Sequence, residues 1–170
     1  MSGPERVALT GPNGARKTTL LRLITGDLPP LRGTVEVRTR FAMFDQAVSL
    51  LDARVSILDN FRRINAHADE NTCRAALARF MFRADAALQT VSRLSGGQLL
   101  RAGLACVLGG TTPPPLLTLD EPTNHLDVES LEAVEAGLRG HDGALLIVSH
   151  DETFLEAIAI TRRLDLVSWR

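Results

Sequence analysis

The stretch Gly11–Leu20, GPNGARKTTL, decides the fold, because it follows the pattern G-x-x-x-x-G-K-[ST] at every fixed position except one. The first glycine, Lys17 and Thr18 stand where the pattern requires them, whereas Arg16 replaces the second glycine. A short apolar and β-branched run, Arg6–Thr10, precedes the stretch, so we expect a strand to lead into the loop. A loop of this kind cradles phosphate groups with its backbone N–H groups.

A helix is expected to begin near Lys17, directly after the loop. Leu20, Leu23 and Ile24 recur at helical spacing and should form its buried face. Gly26 then ends the helix. The loop therefore lies between a strand and a helix, where the N-terminal dipole of the helix adds positive potential at the phosphates.

Strand and helix patterns alternate along the rest of the chain. In chain order we expect one or two strands over Gly33–Phe44, two or three short helices over 52–90, a helix over Gly97–Leu108 opened by Ser95, a buried strand over Leu116–Leu119, a helix capped by Asp127, and a buried strand over Ala144–Ser149. This alternation predicts an α/β fold of the P-loop NTPase type, with a mainly parallel sheet flanked by helices and a small helical subdomain.

The helix capped by Asp127 has one apolar side and one acidic side. Its apolar residues should face inward, and they are Val128, Leu131, Val134 and Leu138. Its acidic residues should face solvent, and they are Glu129, Glu132 and Glu135.

The composition limits the classes of function. A chain of 170 residues supports one domain, and its net charge of −1 gives no overall positive field, so we expect no direct DNA binding. Cys73 and Cys106 lie far apart without a C-x-x-C pair, which favours free buried thiols in a reducing cytosol. We see no signal peptide and no run of about 20 apolar residues, so we expect a cytoplasmic protein that reaches a membrane only through a partner.

Polar residues follow the predicted strands at their carboxyl ends, the edge where parallel sheets bind ligands. Lys17 is expected to reach the β- and γ-phosphates of a nucleotide, and the Thr18 hydroxyl to ligate Mg²⁺. After a later strand, Asp120 is a candidate for holding the metal and Glu121 for polarising an attacking water. His150 ends another strand. Each signal alone also fits a helix cap or a buried histidine, and it is their combination that indicates a site.

Further segments resemble the ATP-binding cassette (ABC) ATPases. The sequence LSGGQ, Leu94–Gln98, is similar to the family's signature, and LDEPTNHLD, Leu119–Asp127, is similar to its Walker B and D-loop segment. Gln46 matches the Q-loop glutamine and His150 the switch histidine. The motifs follow the family's order along nearly the whole chain.

The resemblance implies a site for ATP and Mg²⁺ that two cassettes share. Glu121 and His150 would be catalytic, and His150 would contact the γ-phosphate. The metal would be held by Thr18, Gln46 and Asp120. The nucleotide would be bound by Gly11, Pro12, Asn13, Gly14, Ala15, Arg16, Lys17, Thr18, Thr19 and Gln46. The N-terminus of the signature helix would approach the nucleotide of the other cassette, through Ser95, Gly96, Gly97 and Gln98.

The spelling EPTNHLD resembles the ABC-F branch, whose members are soluble, have two cassettes and often act on ribosomes as translation factors or antibiotic-protection proteins. On this interpretation residues 1–170 form a single ABC nucleotide-binding domain, with a helical subdomain at about 52–110 and a truncated N-terminal β-subdomain. The site then needs a second cassette, from a homodimer or a partner chain. An ATP-binding subunit of an ABC transporter is the alternative, and it would dock a membrane partner near Gln46.

The sequence also departs from the family. Arg16 stands where backbone and phosphate nearly touch, so it should clash with the phosphates or distort the loop and weaken binding and turnover. Its cationic head could instead lean outward and attract phosphate. No aromatic residue precedes the loop to stack on adenine, and Leu99 and Leu100 replace charged residues, which indicates an apolar contact or core packing. A degenerate, non-catalytic cassette is therefore a second alternative.

Overall fold

A computed structural model describes residues 1, 3–12, 14–124 and 126–166, and a sheet of parallel strands lies at its centre. The strands are β1 (Arg6–Thr10), β2 (Phe41–Phe44), β3 (Leu116–Asp120), β4 (Ala144–Val148) and β5 (Arg162–Asp165). The helices are α1 (Lys17–Thr25), α2 (Ile57–Ile64), α3 (Glu70–Arg79), α4 (Gly96–Leu108), α5 (Val128–Arg139) and α6 (Glu152–Ala157). Short 3₁₀ turns, Ala84–Leu88 and Val91–Arg93, lie between α3 and α4.

The order of the strands, β2-β3-β4-β1-β5, confirms the predicted α/β fold. Each neighbouring pair is parallel. Strands β3 and β4 read as nearly unbroken apolar runs because every residue in both is buried between the layers of the fold. Since parallel strands end at the same edge of a sheet, the segments that follow β1, β3 and β4 become neighbours in space.

Alternate residues of the strands belong to two separate clusters, one on each face of the sheet. In β1, Val7 and Leu9 belong to a smaller cluster that includes Leu21 of α1. Ala8, between them, belongs to a larger cluster that includes residues of α4, α5 and α6. Helix α1 therefore covers one face, and the remaining helices cover the other.

Helix α1 begins and ends where the sequence predicts, and its buried face is centred on Leu21. Gly26 ends it in a left-handed conformation (φ 83°). Leu21 is fully buried, whereas Leu20, Leu23 and Ile24 are only partly buried. Leu20 and Ile24 still pack against the smaller cluster, so the predicted face meets the sheet, with Leu21 and the buried Lys17 one turn before it on the same side.

The prediction of strand over Gly33–Phe44 is correct only for its end, because residues 33–40 form no strand. Val35 is 45% exposed, and β2 is the edge of the sheet on that side. A period-2 pattern alone does not make a strand, which also needs a neighbouring chain to accept its backbone hydrogen bonds.

The apolar spacing of α5 predicts that Val128 faces inward, and this prediction is wrong, because Val128 is 73% exposed. The buried positions are Ser130, Val134 and Leu138, spaced four residues apart. Ser130 takes the inward place because Gly97 of α4 packs against it, and a Cβ on that glycine would lie 2.8 Å from the Ser130 hydroxyl oxygen. The predicted cap is confirmed, since the Asp127 side chain accepts a hydrogen bond from the backbone N–H of Ser130.

Several smaller predictions are confirmed. Cys73 and Cys106 are free and buried, and burial raises the pKa of the Cys106 thiol to about 12. Leu100 is buried and Leu99 packs against the larger cluster, so core packing accounts for both. Within the residues that the structure describes, no helix is long and apolar enough to cross a membrane.

Candidate functional site

The loop between β1 and α1 has the backbone conformation that its glycines indicate. Gly11 (φ 140°) and Gly14 (φ 85°) both adopt positive φ angles, which favour glycine. A Cβ atom on Gly11 would lie 2.6 Å from the carbonyl oxygen of Leu166, so a larger residue would force a shift. Asn13, which the sequence assigns to the nucleotide, lies outside the described residues.

Lys17, the first residue of α1, is 8% exposed and uses all three of its ammonium donors. Its Nζ atom donates to the carbonyl oxygens of Gly11 (2.8 Å) and Pro12 (3.3 Å). The third contact, 2.9 Å long, joins Nζ to Nε2 of His150. Because an ammonium group only donates, Nε2 must be the acceptor, and we therefore assign the imidazole proton to Nδ1.

Two carboxylates lie directly after β3, beside the end of β4. Asp120 is the last residue of the strand and is 7% exposed. Glu121 follows it with a positive φ of 48°, and its backbone N–H donates to the carbonyl oxygen of Val148 (2.9 Å). Its Oε1 atom lies 3.6 Å from Nε2 of His150. The left-handed backbone of Glu121 is the kind of local strain that is stored at functional sites.

Lys17, Asp120 and Glu121 line one cavity of about 370 Å³ at the carboxyl edge of the sheet, and His150 contacts Lys17 without lining it. The positive end of α1 and two cationic side chains face the two carboxylates across it. A phosphate chain would meet the cations and the loop N–H groups, while the carboxylates would need a cation or a proton between them and the phosphate. The lining residues are Gly14, Ala15, Arg16, Lys17, Thr18, Thr19, Asp120, Glu121 and Val148.

The oxygen donors of the site suit magnesium. The Thr18 hydroxyl and the Asp120 carboxylate line this cavity and also an adjoining groove of about 1000 Å³. Among the described residues, no group of three or more His, Cys, Asp or Glu side chains could hold a metal ion alone. Mg²⁺ commonly binds one or two carboxylates and completes its shell with phosphate and water, so this donor set fits it and does not fit a structural zinc site.

Gln46, the candidate sensor residue, borders the same two carboxylates from the other side. It is exposed and lies just after β2. It lines a second cavity, of about 250 Å³, together with Asp120, Glu121 and Gly96. Asp120 and Glu121 therefore line both cavities, one with the loop and one with Gln46.

The LSGGQ segment forms the N-terminus of α4. The Ser95 side chain caps the helix by accepting from the backbone N–H of Gln98, and the Gln98 side chain accepts from the backbone N–H of Ser95. Gly96 has open space where a Cβ would be, whereas Gly97 is buried against α5. Of the described residues that line the loop cavity, none comes from this segment. The exposed helix end is thus separate from the phosphate loop of its own chain.

The family model described as "ABC transporter" matches residues 1–124. The chain belongs to this family. Among curated proteins, this ABC cassette is 39% identical to the ATP-binding protein Uup of Haemophilus influenzae, over 91% of the cassette and 25% of that protein. It is 38% identical to the ATP-binding cassette sub-family F member 3 of Mus musculus, over 90% of the cassette and 22% of that protein. The cassette therefore spans about a quarter of these relatives' length, and it is most like the ABC-F branch, as EPTNHLD predicts.

Solved structures support the fold. The dimeric post-hydrolysis state of the cassette MJ0796, bound to ADP and Pi, matches with a TM-score of 0.77 at 21% identity, over 98% of this cassette and 84% of that chain. The archaeal ribosome recycling factor aABCE1, in complex with the ribosomal stalk protein aP1, matches with a TM-score of 0.73 at 26% identity, over 91% of this cassette and 30% of that chain.

Arg16 is the position where this cassette departs most from its family. It is the N-cap of α1, with φ 58° and ψ 31°, and its side chain is exposed. This left-handed conformation explains why a glycine is normally found there, since a residue with a Cβ pays about 1–2 kcal/mol for it. Arg16 therefore carries backbone strain whether or not a nucleotide is bound, and the clash with the phosphates stays a prediction.

Sequence reasoning missed several residues that line the second cavity, among them Val48, Pro122 and Asn124. Asn124 lies within EPTNHLD, so the motif itself was the available signal. Val48 has a positive φ of 45°, and no sequence pattern predicts such a conformation for a β-branched residue. The Lys17–His150 contact was also not predicted, because it joins residues 133 positions apart.

Proposed function

We propose that this cassette binds ATP with Mg²⁺ and hydrolyses its γ-phosphate at an interface with a second cassette. One observation carries the proposal: Lys17, Glu121 and His150, from three separate segments, meet within 2.9 Å and 3.6 Å at one edge of the sheet. A lysine, a carboxylate and an imidazole at this spacing suit phosphoryl transfer to water, which depends on positioning and on stabilising charge.

Binding would use the loop and the end of α1. The backbone N–H groups of residues 14–18 and the Lys17 ammonium would receive the β- and γ-phosphates. Lys17 would have to give up at least one of its present acceptors, and we propose that this is His150, since the other two are carbonyl oxygens of the loop itself. Thr18 and Asp120 would hold Mg²⁺, with Gln46 beside them, and the metal would supply positive charge that offsets the phosphate oxygens.

Hydrolysis would use Glu121 and His150. The Glu121 carboxylate would orient a water and accept its proton as the water oxygen bonds to the γ-phosphorus and the bond to the ADP oxygen breaks. Once the γ-phosphate replaces Nε2 as a partner of Lys17, His150 would be released to contact a phosphate oxygen. The positive φ of Glu121 keeps its side chain at the cavity rather than in the sheet.

The second cassette would supply the missing wall of the site. The N-terminus of α4 is capped and exposed, and Gly96 has open space around it. A helix N-terminus of this kind favours an anion, and the loop cavity of its own chain does not include it. The dimeric form of the MJ0796 cassette supports an arrangement in which each α4 approaches the nucleotide of its partner.

A charge placed at the α4 N-terminus tests this arrangement. Gly96→Asp introduces a carboxylate where a Cβ meets no other atom, so the folded monomer should tolerate it, and an acidic residue there suits the helix dipole. In a Glu121→Gln background, Mg²⁺ and ATP should produce dimers in sedimentation velocity, and Gly96→Asp should abolish them by repelling the γ-phosphate. Ser92→Asp, on the neighbouring exposed turn, is the matched control and should leave the dimer intact. Equal dimerisation by both aspartate variants would contradict the shared site.

We further propose that the protein containing this cassette acts in the cytoplasm on ribosomes, in translation or in antibiotic resistance. The support is similarity to ABC-F relatives and to an archaeal ribosome recycling factor. With ATP, the Glu121→Gln variant should pellet with ribosomes through a sucrose cushion, and with ADP it should stay in the supernatant. Association with the membrane fraction instead would favour the transporter-subunit alternative.

A further inference from the structure

Two residues that are unfavourable for their local backbone structure contact each other, Gly103 of α4 and Val48 in the segment after β2. Gly103 lies in the interior of α4, where glycine weakens a helix. Val48 has φ 45°, a strained conformation for a β-branched residue, and is 3% exposed. A Cβ on Gly103 would lie 2.6 Å from Cγ1 of Val48 and 3.1 Å from the ring of Phe44. Only glycine at position 103 therefore leaves enough space for the Val48 side chain in its present position.

The backbone of Val48 closes a turn that contains Gln46. The Asp45 carboxylate accepts from the backbone N–H of Ser49 (2.9 Å) and from its hydroxyl (2.9 Å). The Asp45 carbonyl oxygen accepts from the backbone N–H of Val48 (3.0 Å). Gln46 therefore lies in a turn that begins at Asp45, whose carboxylate binds Ser49, and that ends at the buried Val48. The side chain of Gln46 itself is exposed.

Val48 also belongs to the site. It lines the 250 Å³ cavity together with Gln46, Asp120 and Glu121. A displacement of Val48 would move both the wall of that cavity and the turn that carries the glutamine. When two costly residues coincide beside a functional residue, function is the expected reason for keeping them.

We infer that Val48 is a positioning residue which, seated in the gap left by Gly103, holds Gln46 at the carboxylates that bind the metal and the attacking water. The inference deepens the proposed function and rests on it. It couples Gln46 to α4, the helix whose N-terminus carries the signature segment. The contact pairs a glycine at one position with a branched side chain at the other, so enlarging the first calls for a smaller second.

A double-mutant cycle tests the contact between Val48 and Gly103. Gly103→Ala should lower turnover at saturating ATP roughly tenfold and change KM less than about twofold, because Gln46 is misplaced while the loop is untouched. Val48→Ala should lower turnover less, because it leaves the gap unfilled. The pair Val48→Ala/Gly103→Ala removes the two methyl groups of Val48 and adds one at position 103, so the added methyl fills part of the space that valine vacates. It should return turnover to within about threefold of the unsubstituted cassette.

The matched control is Gly137→Ala, since a Cβ on that α5 glycine would lie 2.7 Å from the Phe80 ring, far along the chain from Gln46. It should reduce thermal stability about as much as Gly103→Ala does and leave turnover unchanged. Equal turnover in Gly103→Ala and Gly137→Ala, or no recovery in the double variant, would overturn the inference.

A second readout does not need hydrolysis. The side-chain amide of Gln46 can be followed in nitrogen-15 correlation spectra, with the resonance assigned by its loss in Gln46→Glu. It should shift in Gly103→Ala, return in the double variant and stay in place in Gly137→Ala. If the unsubstituted cassette shows no Glu121-dependent hydrolysis, the proposed function fails, and this resonance alone decides the inference. An unmoved resonance in Gly103→Ala would then refute it.

Discussion

Replacing Glu121 by glutamine is expected to lower the rate of ATP hydrolysis at least about a hundredfold while changing the affinity for ATP less than about threefold. The carboxylate lies 3.6 Å from Nε2 of His150, directly after the strand that ends in Asp120. Glutamine keeps the shape of the side chain but cannot accept a proton from water. Phosphate release measured with malachite green gives the rate, and isothermal titration gives the affinity.

Glu129→Gln is the matched control for that experiment. Glu129 is an exposed carboxylate on the first turn of α5, so its substitution removes the same charge away from the cavity. It should leave both rate and affinity unchanged. Hydrolysis that persists in Glu121→Gln would contradict the assigned role. ATP binding without any hydrolysis in the unsubstituted cassette would favour the alternative of a cassette that binds without catalysis.

Replacing Arg16 by glycine is expected to raise the affinity for ATP about tenfold and to stabilise the free cassette by about 1 kcal/mol. The stability gain follows from the left-handed backbone at Arg16 (φ 58°), which glycine adopts freely, less the larger chain entropy that glycine loses on folding. The affinity gain follows because the side chain lines the cavity that would receive the phosphates. Chemical denaturation and isothermal titration measure the two effects.

Two further variants separate backbone from side chain. Ala159→Gly relieves the same left-handed strain (φ 57°) at an exposed position outside the site, so it should stabilise the cassette without changing ATP affinity. Arg16→Ala removes the guanidinium but keeps a Cβ. If Arg16→Ala binds ATP as tightly as Arg16→Gly, the long side chain of the arginine is what weakens binding. If Arg16→Ala binds as weakly as the unsubstituted cassette, the backbone conformation at position 16 is the cause. A loss of affinity in Arg16→Gly would show instead that the arginine is a phosphate ligand.

The parts of the fold that depend on local pattern could be predicted from the sequence. Buried strands such as β3 and β4 can be recognised from their apolar runs. Because Asp120, Glu121 and His150 stand at or just after the ends of these strands, they could be predicted to lie at one edge of the sheet. The helix caps at Ser95 and Asp127 also follow from local chemistry, because the capping residue and its N–H partner are three residues apart.

The errors arose where a distant neighbour decides the outcome. Val128 fits the apolar stripe of α5, yet the close approach of Gly97 turns Ser130 inward instead. Residues 33–40 alternate like a strand, yet they join no strand of the sheet, and Val37 packs against the cluster on the α1 face instead. The positive φ angles of Arg16 and Val48 could not be predicted either, since they depend on the whole loop and not on those residues' own preferences.

The central claim, that this edge of the sheet grips the triphosphate of ATP, is tested most directly by a crystal structure with Mg²⁺ and a non-hydrolysable ATP analogue. The account predicts β- and γ-phosphates on the loop between β1 and α1. It also predicts that the Lys17 ammonium has left His150 for a phosphate oxygen, and that the metal lies between Thr18 and Asp120. An empty loop in which Lys17 still contacts His150 at about the present 2.9 Å, with the Arg16 side chain across the cavity, would contradict it.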